Sequence, residues 1–323
     1  MTSEIATFQA APGESWRPDC MHGKRVIATG GSMARRTKVV GAVSAMAAAA
    51  GIASAATGGM TWRRATAREQ ARLQAAARAK LESAPDELAR AGLPALVARY
   101  FAMVVPEGLT RVRGAHIRWT GEFQMRPGSG WRPFEAEQEF TTSPPGFVWD
   151  ARIQMMPLVR VQVRDQYVAG QGAMLGKVGG LITVVNEGGT PEMASSALIR
   201  WLGEAVWFPT ALLPAGPNGD GVRWDAVNDT TARATVTDAG TTVSAEFHFA
   251  PTGEITRMTA MRYRDVNGTG VLTPFEGQYR NYARHDGVLI PMAAEVAWLL
   301  PEGRFPYWRG RPVMVRYDRE VSP

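Results

Sequence analysis

Arg200 and Glu204 stand four residues apart in the stretch 191–206, PEMASSALIRWLGEAV. A cation and a carboxylate at that spacing share a helix face and can pair. Asp150, Arg152, Arg164 and Asp165 are further charges set among apolar and aromatic residues. Three readings follow. The plainest is ion pairs between a helix and strand ends. A sharper one is a polar cluster at a ligand mouth, with Arg152 or Arg200 meeting an anionic headgroup. The third is a hydrolase-type enzyme using Glu204, Asp150 or Asp165 as a general base in the same hollow. For that reading the chain contains no G-x-S-x-G motif, and nothing in the sequence supplies Glu204 with a nucleophile or an acid partner. No catalytic residue is therefore assigned.

Metal and cofactor signals are weak. His22, His116, His248 and His285 are isolated. Glu246 and His248 share a strand face, but two ligands do not make a site. Residues 170–176, GQGAMLG, lack the dinucleotide spacing, and a strand near Leu181 leaves no room for the helix that would hold a pyrophosphate. They read as a flexible hairpin, a flap over a cavity mouth. Cys20 is the single cysteine, which excludes intrachain disulfides and Cys-based zinc sites. No metal and no cofactor are expected.

Eight of the ten Trp lie within residues 93–323, more than one sheet and one helix readily absorb. Trp149, Trp201, Trp207, Phe208 and Trp298 are assigned to the lining of a hollow. Arg152, Arg200 and Glu204 join them as the expected ligand-binding set.

The elements that must position these residues are mostly strands. Ile117, Trp119 and Phe123 alternate with polar neighbours, as do Phe134, Ala136 and Phe140, and then Phe147, Trp149, Ala151 and Ile153. Val159–Val163, Ala232–Val236, Ala245–Phe249, Ala294–Leu300 and Val313–Tyr317 continue the pattern. Period-two alternation marks antiparallel strands with one apolar face. Pairs such as Ala239-Gly240, Asn267-Gly268 and Asp286-Gly287 supply the turns. About ten or eleven strands are expected, as a meander.

Residues 63–91 read as a helix, and two segments within residues 93–323 have a helical period. Pro94–Met103 offers Leu96, Val97, Tyr100 and Phe101 as a stripe. Pro191 follows Thr190 as N-cap, with Ala194, Ala197, Leu198, Trp201, Leu202 and Ala205 on one face. The expected fold is mainly β (α+β): a curved antiparallel sheet or half-open barrel with a helical insertion covering its apolar face.

The N-terminal third differs. Residues 1–92 hold 13 Lys+Arg and 7 Asp+Glu, whereas residues 93–323 hold 23 of each. The net charge of +6 thus belongs to the N-terminal third, and a nucleic-acid-binding body is not expected. Residues 39–62 carry no charge and follow Arg35, Arg36 and Lys38. They read as a membrane anchor or, with Ala53-Ser54-Ala55, as a cleavable signal. Residues 1–32 read as a mis-assigned leader before a true start at Met33. The divisions are 1–32 leader, 33–62 signal or anchor, 63–92 helical spacer and 93–323 a single β-rich domain, placed in the cell envelope.

Several segments are more specific. They are LPALVARYF (93–101), Trp131 with PFEAEQEF (133–140), PPGFVWDARIQM (144–155), RDQYVAGQGAM (164–174), RWLGEAVWFPTALLP (200–214) and PYWR (306–309). Through them the chain resembles an uncharacterised bacterial family of unknown function, which transfers no catalytic residues. At the level of fold, its strand–helix–strand order is similar to the lipoprotein-localisation factors, whose half-closed barrel holds acyl chains. The export-type N-terminal run, the cysteine-free and neutral body and its excess of aromatics point to a non-catalytic envelope protein binding an apolar or lipid-like ligand in the concave face of its sheet. Membrane contact through residues 39–62 is expected if they are not cleaved. A structural or assembly module with a filled core is the other alternative to an enzyme.

Overall fold

The computed structural model describes residues 57–77, 92–106, 109, 111–157, 159–214 and 221–319. The leader, the Met33 start and most of the uncharged run 39–62 lie outside the described residues, as do residues 78–91. Among the described residues no helix is long and apolar enough to cross a membrane.

Helix α1 spans residues 57–77 and α2 spans Ala95–Val104. Six strands follow: β1 (Val112–Phe123), β2 (Arg132–Thr141), β3 (Gly146–Met156), β4 (Val159–Val168), β5 (Gln171–Val178) and β6 (Ile182–Gly188). Helix α3 (Pro191–Glu204) and two 3₁₀ turns, Ala205–Trp207 and Pro209–Leu212, come next. The second set of strands is β7 (Val222–Asn228), β8 (Thr231–Asp238), β9 (Thr241–Phe249), β10 (Ile255–Val266), β11 (Thr269–His285), β12 (Val288–Leu300) and β13 (Gly303–Arg319).

All thirteen strands form one sheet in the order β6-β5-β4-β3-β2-β1-β13-β12-β11-β10-β9-β8-β7. Every neighbouring pair is antiparallel. The chain starts in the middle, meanders out to the β6 edge, restarts at the β7 edge and meanders back until β13 pairs with β1. The sheet is curved and unclosed, a half-barrel with a helical insertion, as the alternating pattern implies. The count exceeds ten or eleven in part because β5, read as a flexible hairpin, is a paired strand without a clean apolar alternation.

The glycine-rich stretch 170–180 is not a flap. Residues 171–178 are strand β5, paired on both sides. Gly172 lies under the start of α3, where an added Cβ would stand 2.2 Å from the Met193 carbonyl oxygen. Glycine is needed there for close approach rather than for motion.

Helix α3 starts as its sequence requires. Thr190 accepts a hydrogen bond from the Met193 N–H at 3.2 Å, Pro191 occupies the first turn and Glu192 faces the positive end of the helix. Its six apolar-face residues are all buried, and so are Ser196, Ile199 and Gly203 on the remaining sides. The helix is enclosed because the sheet curls round it. Ser196 Oγ donates to the Tyr263 carbonyl of β10, and Trp201 Nε1 donates to the Thr141 carbonyl of β2. Helix α2 buries Val97, Tyr100, Phe101 and Val104 on the same concave side, where Tyr100 meets Phe249 and Phe101 meets Trp224 edge to face.

Helix α1 occupies the opposite, outer face. Leu73 clusters with Val148 and Val168. Trp62 Nε1 donates to Asp150 Oδ1 at 2.9 Å, and the Arg164 guanidinium lies 5.3 Å from the Trp62 ring centre. Gln166 Nε2 donates to Glu69 at 2.9 Å. The described part of the segment read as a spacer is thus packed on the sheet, and residues 57–62 of the run read as an anchor are helical.

Candidate functional site

Alternation along β2, β3 and β4 points Gln138, Trp149 and Asp165 into the concave face, where α3 brings Arg200 and Glu204. Arg200 donates to Asp165 at 2.6 Å and to Glu204 at 3.0 Å. Gln138 donates to the other Glu204 oxygen at 2.8 Å. The guanidinium lies 4.9 Å from both the Phe147 and Trp149 ring centres. Burial alone would lower the Arg200 pKa, but the Glu204 and Asp165 carboxylates outweigh it and raise it. Burial raises the Glu204 pKa in spite of Arg200 and Gln138. With Glu204 ionised the three charges sum to minus one, and with Glu204 protonated to zero. Arg200 is already balanced, so the cluster does not attract an anion.

Three buried polar atoms beside this cluster have no hydrogen-bond partner among the described residues: Gln138 Oε1, Trp149 Nε1 and Trp119 Nε1. Gln138 and Trp149 are directly opposed across β2 and β3, and Trp119 is on the adjacent β1. Buried donors and acceptors normally find partners, by contacting the protein, a water or a ligand.

An aromatic wall continues from the cluster. Phe134 links Trp149 to Trp308, and Trp308 meets Trp119 at 5.7 Å. Beyond it, Trp298 stacks on Tyr307 at 5.8 Å and 17°, with Phe275, Phe305 and Phe123 around them. A bulge between Val296 and Ala297 makes Tyr307 the extra residue of β13, so Tyr307 and Trp308 both point inward. Arg262 of β10 reaches over Phe275 and Trp298 and donates to the Tyr307 hydroxyl and the Ser196 carbonyl. Phe123, Trp298, Phe305, Tyr307 and Trp308 are only half-buried. Phe123, Trp298, Tyr307 and Trp308 pack at the margin of the core.

A family profile described as a family of unknown function (DUF6920) matches residues 91–317. The chain belongs to that family. No curated protein matches it. It is similar to a LolA superfamily protein from Nitrosomonas europaea, at 9% identity over 70% of this chain and 93% of that one, with a TM-score of 0.37. It is also similar to a DUF1329 family protein from Desulfovibrio piger, at 10% identity over 74% of this chain and 95% of that one, with a TM-score of 0.37.

The residues singled out in the DUF6920 sequence separate into four places. Trp149, Arg200 and Glu204 meet in the interior cluster. Trp298 stands on the half-buried wall. Trp201, Trp207 and Phe208 are at most 2% exposed, with indole N–H groups bonded to the Thr141 and Pro291 carbonyls, and belong to the core. Arg152 is exposed on the outer face and cannot share a ligand with Arg200. Asp150 and Arg164 are also on the outer face, under α1, where burial first and foremost raises the Asp150 pKa. Asp150 therefore does not share the hollow that holds Glu204 and Asp165, which corrects its place in the enzyme reading. Sequence reasoning passed over Gln138, Arg262, Tyr307 and Trp308. Strict alternation would place Tyr307 and Trp308 on opposite faces, and only pairing with β12 shows the bulge.

Among the described residues no group of three or more metal-ligating side chains is present. A groove of about 480 Å³ lies on the outer face, lined in part by Thr120, Glu122, Arg280, Glu295, Arg309 and Arg311. Its Arg309 is paired with Glu122.

Proposed function

We propose that this is a non-catalytic envelope protein that binds a lipid-like, amphipathic ligand on the uncovered part of its concave face. The apolar part of the ligand lies against Phe123, Trp298, Phe305 and Tyr307. Its polar part reaches toward Gln138, Trp119 and Trp149, whose unpartnered atoms offer two donors and one acceptor. The carrying observation is the half-buried aromatic wall on the face that elsewhere forms a closed core. A filled core would cover these rings, since each aromatic side chain contributes a large apolar area when buried. The balanced charge of Arg200 favours a neutral, hydrogen-bonding group at the inner end over an anionic one.

The test is mass spectrometry of organic extracts from protein purified from its own host, with an acyl-chain fluorophore as a binding probe. A copurified lipid is expected, together with loss of probe binding in Trp298→Ala and Tyr307→Ala at unchanged fold. Absence of both a copurified lipid and probe binding would overturn the reading. The structural-module alternative would then stand, supported by the closed packing of Trp201, Trp207 and Phe208.

A further inference from the structure

Hairpin tips β1–β2, β3–β4 and β5–β6 share one end of the sheet, because they alternate with the opposite turns of one antiparallel meander. Each tip presents large apolar side chains to solvent: Met125 at 55% exposure, Met156 at 58%, and Leu181 and Ile182 at 50% and 67%. The start of α1 sits on the same end. A Cβ on Gly58 would stand 2.7 Å from the Gly179 carbonyl oxygen and 2.8 Å from Leu181 Cγ. Met60, one turn on, is 52% exposed.

On the β1–β6 half of this end the charge is one-sided, whereas the β12–β13 tip at the same end carries Glu302 beside Arg304. Segments 57–64, 123–133, 152–162 and 175–184 contain Arg63, Arg64, Arg126, Arg132, Arg152, Arg160 and Lys177, and no Asp or Glu. All seven except the half-buried Lys177 are exposed. Residues 93–323 as a whole are neutral, so this is a local concentration of positive charge. Trp131, half-buried beside Arg309 in the β1–β2 connection, adds an aromatic ring of the kind that favours a membrane–water interface.

We propose that this end of the sheet docks on an anionic lipid bilayer. Isolated apolar tips, each flanked by Arg, suit insertion among headgroups, where long cationic side chains keep their charge in the polar layer. Anionic lipids attract cationic side chains held near the membrane surface. The chain points the same way: the uncharged residues 39–56 are joined covalently to residue 57, at this end. The inference rests on the reading of residues 33–62 as membrane-directed and adds a second contact, made by the body. It would turn the end that carries Phe123 and Phe305 toward the source of a lipid-like ligand.

The experiment uses the full-length chain in vesicles of phosphatidylethanolamine and phosphatidylglycerol. In a Cys20→Ser background, single cysteines are introduced as Met125→Cys, Met156→Cys and Ile182→Cys, with Val227→Cys and Val313→Cys as controls, and labelled with an environment-sensitive fluorophore. The three tip labels should be quenched by nitroxide-headgroup lipids and shielded several-fold from aqueous iodide, while the controls behave oppositely. Combining Arg126→Gln, Arg152→Gln and Arg160→Gln should weaken the lipid quenching without changing the melting temperature. If the chain floats with vesicles but the tip labels meet iodide as freely as the controls, body docking is wrong and the N-terminal reading survives. If the chain does not float, both fall. Shielding from iodide without lipid quenching assigns the end to a protein partner or a second copy and also overturns the proposal.

Discussion

Tyr167 of β4 donates its hydroxyl hydrogen to Asp238 of β8 at 2.8 Å. These strands are nine places apart in the sheet. The bond is possible only because the sheet curls until its β4–β5 turn meets its β8–β9 turn, where a Cβ on Gly170 would stand 2.3 Å from that of Ala239. Burial is the main cause that raises the Tyr167 pKa, with Asp238 reinforcing it. The contact ties the two half-sheets together beside α3.

Tyr167→Phe should therefore cost about 1.5–3 kcal/mol, the range for a hydrogen bond to a charged group. Urea unfolding of Tyr167→Phe, Asp238→Ala and the double variant would give the coupling. Additive losses would mean that the two residues act separately.

Trp201→Ala should cost about 3–5 kcal/mol, because a 1% exposed ring leaves a cavity and the Thr141 carbonyl loses its donor. Trp201→Phe should lose less. Thermal melting of both variants checks the order, and an unchanged melting temperature for Trp201→Ala would remove the residue from the core.

The two buried glutamates should respond to pH with opposite signs. The Glu204 pKa is raised above its ordinary value of 4.5, so the folded state holds its proton more tightly. Its stabilising contribution is full below pH 4.5 and is lost as pH rises through the folded-state pKa. At Glu276, burial is outweighed by Arg304 and Gln278, and the pKa is lowered. Its contribution is present above the ordinary glutamate value and is lost as pH falls through the folded-state pKa. Unfolding free energies across the acid range should show Glu204→Gln gaining on the wild type as pH rises, and Glu276→Gln losing ground.

Trp62→Ala should loosen α1 from the outer face. Trp62 is 3% exposed and bonded to Asp150. Trypsin should cut after Arg63 and Arg64 sooner than in the wild type, with the half-barrel itself remaining protected. Equal cutting rates would show that α1 is held without Trp62, by Leu73 and by the hydrogen bond that Arg164 donates to the Thr66 hydroxyl.

Gly172→Val should destabilise through collision with the Met193 carbonyl, whereas Gly59→Ala, which meets nothing within 4 Å, should not. Because Gly59 is helical, its replacement by Ala should if anything raise the melting temperature, so a fall for Gly172→Val alone marks β5 as packed under α3.

Local chemistry was legible in the amino-acid sequence wherever its cause is local. The Thr190-Pro191 start of α3, the Arg200–Glu204 pair and the apolar faces of β1 to β3 follow from periodicity and capping, which act over a few residues. So do the Asn267-Gly268 and Asp286-Gly287 turns, each with positive φ at both residues. Tertiary structure decided which side of the sheet each charge would meet. Asp150 and Asp165 sit in equally specific segments, yet pairing of β3 with β4 sends one under α1 and the other to Arg200. It also decided that Trp201, Trp207 and Phe208 are core, because the curl encloses α3 on every side, and that Tyr307 and Trp308 face inward together, because a bulge breaks the alternation. Strand period assigns a residue to one of two faces. What covers that face depends on partners far along the chain, and no short stretch of sequence encodes their position.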